Sequence, residues 1–123
     1  MTRTRTRAVR ALATLLGVAM IGGGAMKLVG QPGQVAAFAA WGLPPWFRAL
    51  VGTFEVLGGI LIIAPKTMPA GSLILSTIMV GAAWVHAAYG EWPHEVPVVV
   101  LLTLFLTIFR LDRQQAQRLL GGA

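Results

Sequence analysis

Apolar residues gather in four long runs along the chain, and polar residues stand at the chain ends and in the segments between the runs. The runs cover residues 11–29, 46–64, 70–89 and 95–110. Their apolar positions are continuous and do not alternate with polar ones, so they favour helices over the strands of a membrane β-barrel. About 20 apolar residues suffice for a helix to cross the hydrocarbon layer of a bilayer. The pattern therefore predicts an all-α integral membrane four-helix bundle.

The segment between the first two runs, residues 30–45, breaks this pattern with a Gln-Pro-Gly and a Leu-Pro-Pro sequence. Proline and glycine in such combinations favour turns and end helices. The stretch between them, residues 34–41, has a helical composition but is too short to cross a bilayer. We expect a short interfacial or re-entrant helix there, with Trp41 and Trp46 at the level of the lipid headgroups.

The composition favours a bilayer over water as the surrounding solvent. Of the 123 residues, 56% are hydrophobic and only 11% are charged, whereas soluble domains carry about 25% charged residues. A chain of this length forms one domain, and its polar side chains are too few to cover it. The sequence thus divides into a basic tail at 1–10, a membrane domain at 11–110 and a polar tail at 111–123.

The basic residues predict how the four spans are oriented. Four crossings place both chain ends and the loop at 65–69 on one side of the membrane. That side carries most of the basic residues: Arg3, Arg5, Arg7, Arg10, Lys66, Arg110, Arg113 and Arg118. The other side carries only Lys27 and Arg48. Because cytoplasmic loops are enriched in lysine and arginine, we expect a multi-pass protein of the cell (inner) membrane with both termini cytoplasmic.

Several classes of site and signal are disfavoured. The net charge of +6 does not indicate nucleic-acid binding, because the basic residues stand at chain ends and between apolar runs. The absence of cysteine excludes disulfides and thiol chemistry. His86 and His94, even with Glu91 or Glu95, form only a weak metal-binding pattern, so no metal site is predicted. A secretory signal has an apolar core of about 7–15 residues, and the first run is longer and carries Lys27 near its end.

Three ionisable residues inside the spans are the candidate catalytic residues. Charged groups in a membrane are costly and point to function by default, and here they are Lys27, Glu55 and His86. Helical side chains lean toward the N-terminus of their own helix. The first and third spans run outward and the second runs inward, so all three side chains are predicted to converge in the outer half of the bundle.

Each of the three residues also has a simpler interpretation. Lys27 can extend its side chain to the headgroups, as lysines near span ends commonly do. Glu55 can be a structural partner of Lys27 or Arg48 that fixes helix register. His86 can be a buried histidine that is hydrogen-bonded to a neighbouring helix.

Residues near the outer ends of the spans are candidate ligand-binding residues. Arg48, in the first turn of the second span, can bind an anion or simply a lipid phosphate. The aromatic residues at this level can bind a flat ligand or form the aromatic belt of the membrane interface: Trp41, Trp46, Trp84, Tyr89 and Trp92.

Four segments, which include Lys27, Glu55 and His86, follow one another in a distinctive order. They are GGGAMKL at 22–28, AAFAAWGLPPW at 36–46, FEVLGGILI at 54–62 and VGAAWVHAAYGEWP at 80–93. As an ordered set that covers nearly the whole chain from the first span onward, they resemble the DoxX-like family of small four-helix membrane proteins.

The resemblance implies a four-helix membrane fold and points to respiratory redox chemistry. Founding members of the family are associated with a thiosulfate:quinone oxidoreductase or a terminal quinol oxidase. The implied function is to bind a quinone or other lipophilic small molecule, with Glu55 and His86 exchanging protons and Lys27 stabilising the anionic form. The chain has no intrinsic haem, flavin or thiol cofactor chemistry, so a membrane or soluble redox partner would supply the electrons.

Two other functions fit the same residues. A stand-alone membrane enzyme would use the carboxylate, imidazole and ammonium for acid–base chemistry on an apolar substrate, such as isomerisation, epoxide opening or cyclisation. A structural or accessory subunit would use them only for assembly. The candidate partners are therefore the lipid bilayer, a lipophilic small molecule, a redox protein, or further copies of this chain in a homo-oligomer.

Overall fold

The computed structural model describes residues 2–121, and in that range it contains five helices and no strand. The helices are α1 (Arg3–Leu28), α2 (Pro32–Ala40), α3 (Pro45–Ile63), α4 (Met68–Ala88) and α5 (Trp92–Gly121). The predicted all-α bundle is confirmed, as is the short helix between the first two spans, which is α2. Residue 1 and residues 122–123, at the ends of the two predicted tails, lie outside the described residues.

The first and last helices are longer than the apolar runs inside them. α1 begins at Arg3 because the side chain of Thr2 caps it, accepting a hydrogen bond from the backbone N–H of Arg5 at 3.1 Å. α5 continues beyond residue 110 to Gly121. At 1.5 Å per residue these helices are about 39 and 45 Å long, against about 30 Å for the hydrocarbon layer. Their charged ends therefore extend past the apolar part of a membrane.

The four long helices, α1, α3, α4 and α5, have the length and composition to cross a membrane. In the most apolar stretch of each, only 17% to 33% of the residues are buried inside the protein. Large apolar side chains such as Leu15, Ile60 and Val80 lie on the outside. An apolar surface of this extent is solvated by lipid rather than by water.

Glycines allow α1 and α3 to pack with their backbones in contact. A Cβ atom on Gly17 would lie 2.6 Å from the carbonyl oxygen of Gly59, and one on Gly24 would lie 2.6 Å from that of Gly52. The two glycines on each helix are seven residues apart, so they lie on one face and set a single antiparallel register. Small residues at such positions are typical of helix contacts in membranes.

A second face of α3 packs against α4, and α4 packs against α5. A Cβ atom on Gly71 of α4 would lie 2.8 Å from the carbonyl oxygen of Gly58. The largest fully buried side chains fill the space around this contact and under α5: Ile62, Met68, Leu75, Phe105 and Ile108. α3 is therefore the central helix, held on two faces by glycine contacts.

Replacing Gly24 by alanine should destabilise the bundle, because the added methyl group would collide with the backbone of α3. We expect a loss of about 2 kcal/mol in unfolding free energy, the range of overpacked sites, measured by reversible unfolding in mixed detergent micelles. Gly22→Ala is the matched control, since a Cβ atom there meets nothing within 4 Å. Equal stability of the two variants would contradict the proposed role of Gly24.

Candidate functional site

A cavity of about 690 Å³ opens among α2, α3 and α4 at the end of the bundle where α1 ends. Its wall is mostly apolar, and includes Phe38, Phe47, Val51, Ile78, Met79 and Val85. Lys27, Glu55, His86 and Glu91 supply charged or titratable groups to the same wall. The cavity therefore combines an apolar interior with a few polar groups, which is the usual character of a small-molecule site.

Lys27 and Glu55 form an ion pair across the contact between α1 and α3. The Nζ atom of Lys27 lies 2.9 Å from Oε1 and 3.2 Å from Oε2 of Glu55, so the ammonium contacts both carboxylate oxygens. The side chains are 14% and 6% exposed. A pair this buried keeps its charges only because each neutralises the other.

The glycine contact between the helices brings this pair together. Gly52 lies against Lys27, because a Cβ atom on Gly52 would be 2.9 Å from the Cβ of Lys27. Glu55 follows Gly52 by three residues on the same face of α3. Arg48, one turn before Gly52, donates from Nη1 to the carbonyl oxygen of Lys27 at 3.2 Å and ties the end of α1 to α3.

His86 belongs to a second polar group, at the turn between α4 and α5. Its Nδ1 lies 2.9 Å from Oε1 of Glu91, and the same oxygen accepts a hydrogen bond of 3.0 Å from Nε1 of Trp41. Gly90 adopts a φ of +67°, which lets the chain reverse so that the N–H of Glu91 bonds to the carbonyl oxygen of His86 at 2.8 Å. Glu91 is thereby folded back against the end of α4.

The contact with Glu91 determines which nitrogen of His86 carries the proton. An ionised carboxylate only accepts hydrogen bonds, so Nδ1 must be the donor. In the neutral imidazole, Nε2 then has a free lone pair and can accept a proton. The hydrogen bond from His86 also holds the pKa of Glu91 below its ordinary value of 4.5, with a further lowering from Trp41. A carboxylate–imidazole pair of this kind is suited to proton transfer.

The structure brings only two of the three candidate catalytic residues into contact. Lys27 and Glu55 meet, whereas His86 is paired with Glu91 and shares only the cavity wall with them. The direction in which helical side chains lean accounts for the first contact. The contact of His86 with Glu91 does not follow from side-chain direction, because it depends on the turn at Gly90.

The candidate ligand-binding residues have different environments. Trp41 and Trp84 line the cavity, and Trp41 also meets the ring of His86 edge-on at a centroid distance of 5.5 Å. Tyr89 donates from its hydroxyl to the carbonyl oxygen of Trp41 at 2.8 Å and so supports the wall from outside. Trp46 and Trp92 are 67% and 62% exposed and are not among the lining residues.

From the sequence, Glu91 was expected near the site only as part of a weak metal-binding pattern. The signal that could have found it is its position directly after Gly90, five residues beyond His86. The ring of His94 stacks on that of His86 at a centroid distance of 5.3 Å. Even so, the described residues include no group of three side chains that could hold a metal ion.

Residues 11–108 match the model of the DoxX-like family. The match covers well over half of the chain, so the chain belongs to this family. No curated protein and no solved structure matches it. Together with its four long apolar helices, the family assignment identifies a small multi-pass membrane protein.

The ion pair should appear as an energetic coupling between Lys27 and Glu55. Removing one partner leaves the other charge buried and uncompensated, at a cost of about 3 kcal/mol, and removing both avoids part of that cost. We therefore expect Lys27→Met with Glu55→Gln to be less destabilising than the sum of the single variants by at least about 1 kcal/mol. Unfolding in mixed micelles measures the difference.

Thr53→Val combined with Lys27→Met is the control for this cycle. Thr53 is exposed on the same helix as Glu55 and hydrogen-bonds only within that helix. Its effect should add to that of Lys27→Met. Additive behaviour of the Lys27 and Glu55 variants as well would show that the pair contributes no coupling.

Acid should weaken the turn at Glu91. Because folding lowers the pKa of Glu91, its contribution to stability is present above the ordinary value of 4.5 and is lost as the pH falls through the lowered pKa. The stability of the wild type should therefore fall more steeply below pH 4.5 than that of Glu91→Gln. His86→Phe removes the principal donor and should flatten the curve in part, since Trp41 still donates to Glu91. Parallel curves for all three proteins would contradict the assignment.

Proposed function

We propose that this DoxX-like protein binds a quinone, or a lipophilic small molecule of similar shape and polarity, in the cavity among α2, α3 and α4. The observation that carries the proposal is the placement of two polar pairs, Lys27–Glu55 and His86–Glu91, in the wall of one apolar cavity. Bound in this way, the molecule would take part in membrane redox chemistry.

The size and lining of the cavity suit such a ligand. Small-molecule sites have volumes of about 300–1,000 Å³, and this cavity of about 690 Å³ lies within that range. Phe38, Phe47 and Trp84 offer flat apolar surfaces to a ring. The outer surface of the bundle is also apolar, so a ligand dissolved in lipid reaches the protein without passing through water.

The polar pairs supply what a quinone headgroup needs. Its carbonyl oxygens only accept hydrogen bonds, and the ammonium of Lys27 is a strong donor. Reduction of a quinone consumes two protons together with two electrons. Glu55, ionised beside Lys27, can take up a proton from water and pass it to the reduced quinone, while Lys27 stabilises the anionic form of the ligand. His86 can take up a proton at Nε2 and pass it on in the same way, while its Nδ1 stays hydrogen-bonded to Glu91.

The electrons would come from another protein. The chain has no cysteine, and the proposed role of its own residues is to bind the ligand and to move protons. We propose a membrane or soluble redox partner for this step. The excess of basic residues at the end opposite the cavity favours an inner-membrane orientation with both termini cytoplasmic and the cavity in the outer half.

The His86–Glu91 pair also favours a second candidate function, acid–base catalysis on an apolar substrate. A carboxylate that orients an imidazole is the arrangement of many general bases. Isomerisation, epoxide opening or cyclisation would need no electron donor. Deuterium incorporation into an apolar substrate from D₂O, with no redox change, would favour this function over quinone binding.

Quinone binding can be measured by the fluorescence of the tryptophans that line the cavity. In a Trp46→Phe/Trp92→Phe background only Trp41 and Trp84 remain, and both line the cavity. We expect decylubiquinone, added to the detergent-solubilised protein, to quench their fluorescence with saturation. Lys27→Met should weaken this binding about tenfold, since it removes a charged hydrogen-bond donor, and His86→Gln should weaken it as well.

Thr53→Val, on the same helix as Glu55 but outside the cavity wall, should leave the affinity unchanged. Gel filtration and circular dichroism of each variant separate a loss of binding from a loss of fold. His86→Gln keeps the test informative if Lys27→Met does not fold. Quenching that never saturates, or an affinity that neither substitution changes, would overturn the proposal.

A further inference from the structure

A second cavity lies at the opposite end of the bundle and is separate from the proposed quinone site. It has a volume of about 280 Å³ and is enclosed by three segments that are distant in sequence. These are the first turns of α1, the turn at Pro65 and Lys66 before α4, and the last turns of α5. Only the folded bundle brings these segments together.

Basic side chains dominate the charge of this cavity. Arg10, Lys66 and Arg113 are among its lining residues, one from each segment, and Asp112 is the single acidic residue there. All three cations are exposed. In residues 2–121, the close contacts of carboxylates with basic side chains, Lys27–Glu55 and His86–Glu91, lie at the other end of the bundle. None of these three cations lies within salt-bridge distance of a carboxylate in that range. The cavity therefore has an excess of two positive charges.

The position of the cavity along the bundle matches a membrane interface. Arg10 precedes Lys27 by seventeen residues on α1, which corresponds to about 26 Å along the helix. That separation is close to the thickness of the hydrocarbon layer, about 30 Å. With Lys27 near one interface, the three basic residues lie near the other.

Part of the cavity lining is apolar. Val9 and Met68 line it, and Met68 is only 2% exposed. Leu119, also among the lining residues, is 70% exposed and lies beside the basic groups. A cationic rim next to apolar surface suits a ligand whose anionic head continues into a hydrocarbon tail, whereas a free anion would use only the rim.

We propose that this cavity binds the phosphate of an anionic phospholipid. Arg10, Lys66 and Arg113 would contact the phosphate oxygens, and the acyl chains would lie on the apolar outer surface of the bundle. Basic pockets between membrane helices are suited to such headgroups. A lipid bound here would link α1, the turn before α4 and the end of α5.

Native mass spectrometry of the full chain in detergent tests this proposal. Phosphatidylglycerol added to the wild type should give a bound species, and phosphatidylcholine, whose headgroup is zwitterionic, should give little. Lys66→Gln/Arg113→Gln should weaken the binding of phosphatidylglycerol about 30-fold, the loss expected for two basic contacts at a membrane surface. Arg5→Gln/Arg118→Gln removes the same charge from exposed residues outside the cavity and should retain wild-type binding.

Three results would overturn the proposal. One is equal binding of phosphatidylglycerol and phosphatidylcholine by the wild type, which needs no variant. Another is an equal loss of binding in both double variants, which would show attraction to overall charge rather than to this cavity. The third is displacement of the lipid by an equimolar amount of inorganic phosphate, which would assign the site to a free anion.

Discussion

The close contact between α1 and α3 is the constraint on which the rest of the structure depends. Gly17 and Gly24 face Gly59 and Gly52 across it, with backbone atoms where side chains would ordinarily stand. Between helices in lipid there is little hydrophobic driving force, so association relies on close packing and on polar contacts. This contact supplies the close packing, and it fixes the register in which Lys27 lies beside Gly52 and can reach Glu55.

The two polar pairs of the cavity stabilise their charged groups inside a membrane protein in different ways. The Lys27–Glu55 pair is almost fully buried and is formed between two helices, so each charge depends on the position of the other helix. The His86–Glu91 pair is local to one turn, and its carboxylate is 34% exposed, although His86 is about as buried as Lys27. The first pair therefore depends on the assembled bundle, whereas the second depends on the turn between α4 and α5. Both pairs contribute to the wall of one cavity.

Much of the fold was predictable from the sequence, and less of the site was. The apolar runs predicted the four spans, and the prolines and glycines at 30–45 predicted the short helix α2. Because helical side chains point toward the N-terminus of their helix, Lys27 and Glu55 were predicted to approach each other. The partner of His86 was not predicted, and neither was the separation of Trp46 and Trp92 from the cavity. The helical start of α1 at Arg3 depends on a single cap by Thr2, which composition does not reveal.

The sequence by itself determined the number of long helices, where their apolar parts begin and end, and which ionisable residues stand inside them. These properties depend on the local order of residues, because an apolar segment of sufficient length is helical in lipid whatever its neighbours are. Only the tertiary structure decided that Glu55 pairs with Lys27, that His86 pairs with Glu91, and that Arg10, Lys66 and Arg113 surround one cavity. Those contacts depend on the rotation and register of each helix against the next, and the backbone contacts at the glycines set both.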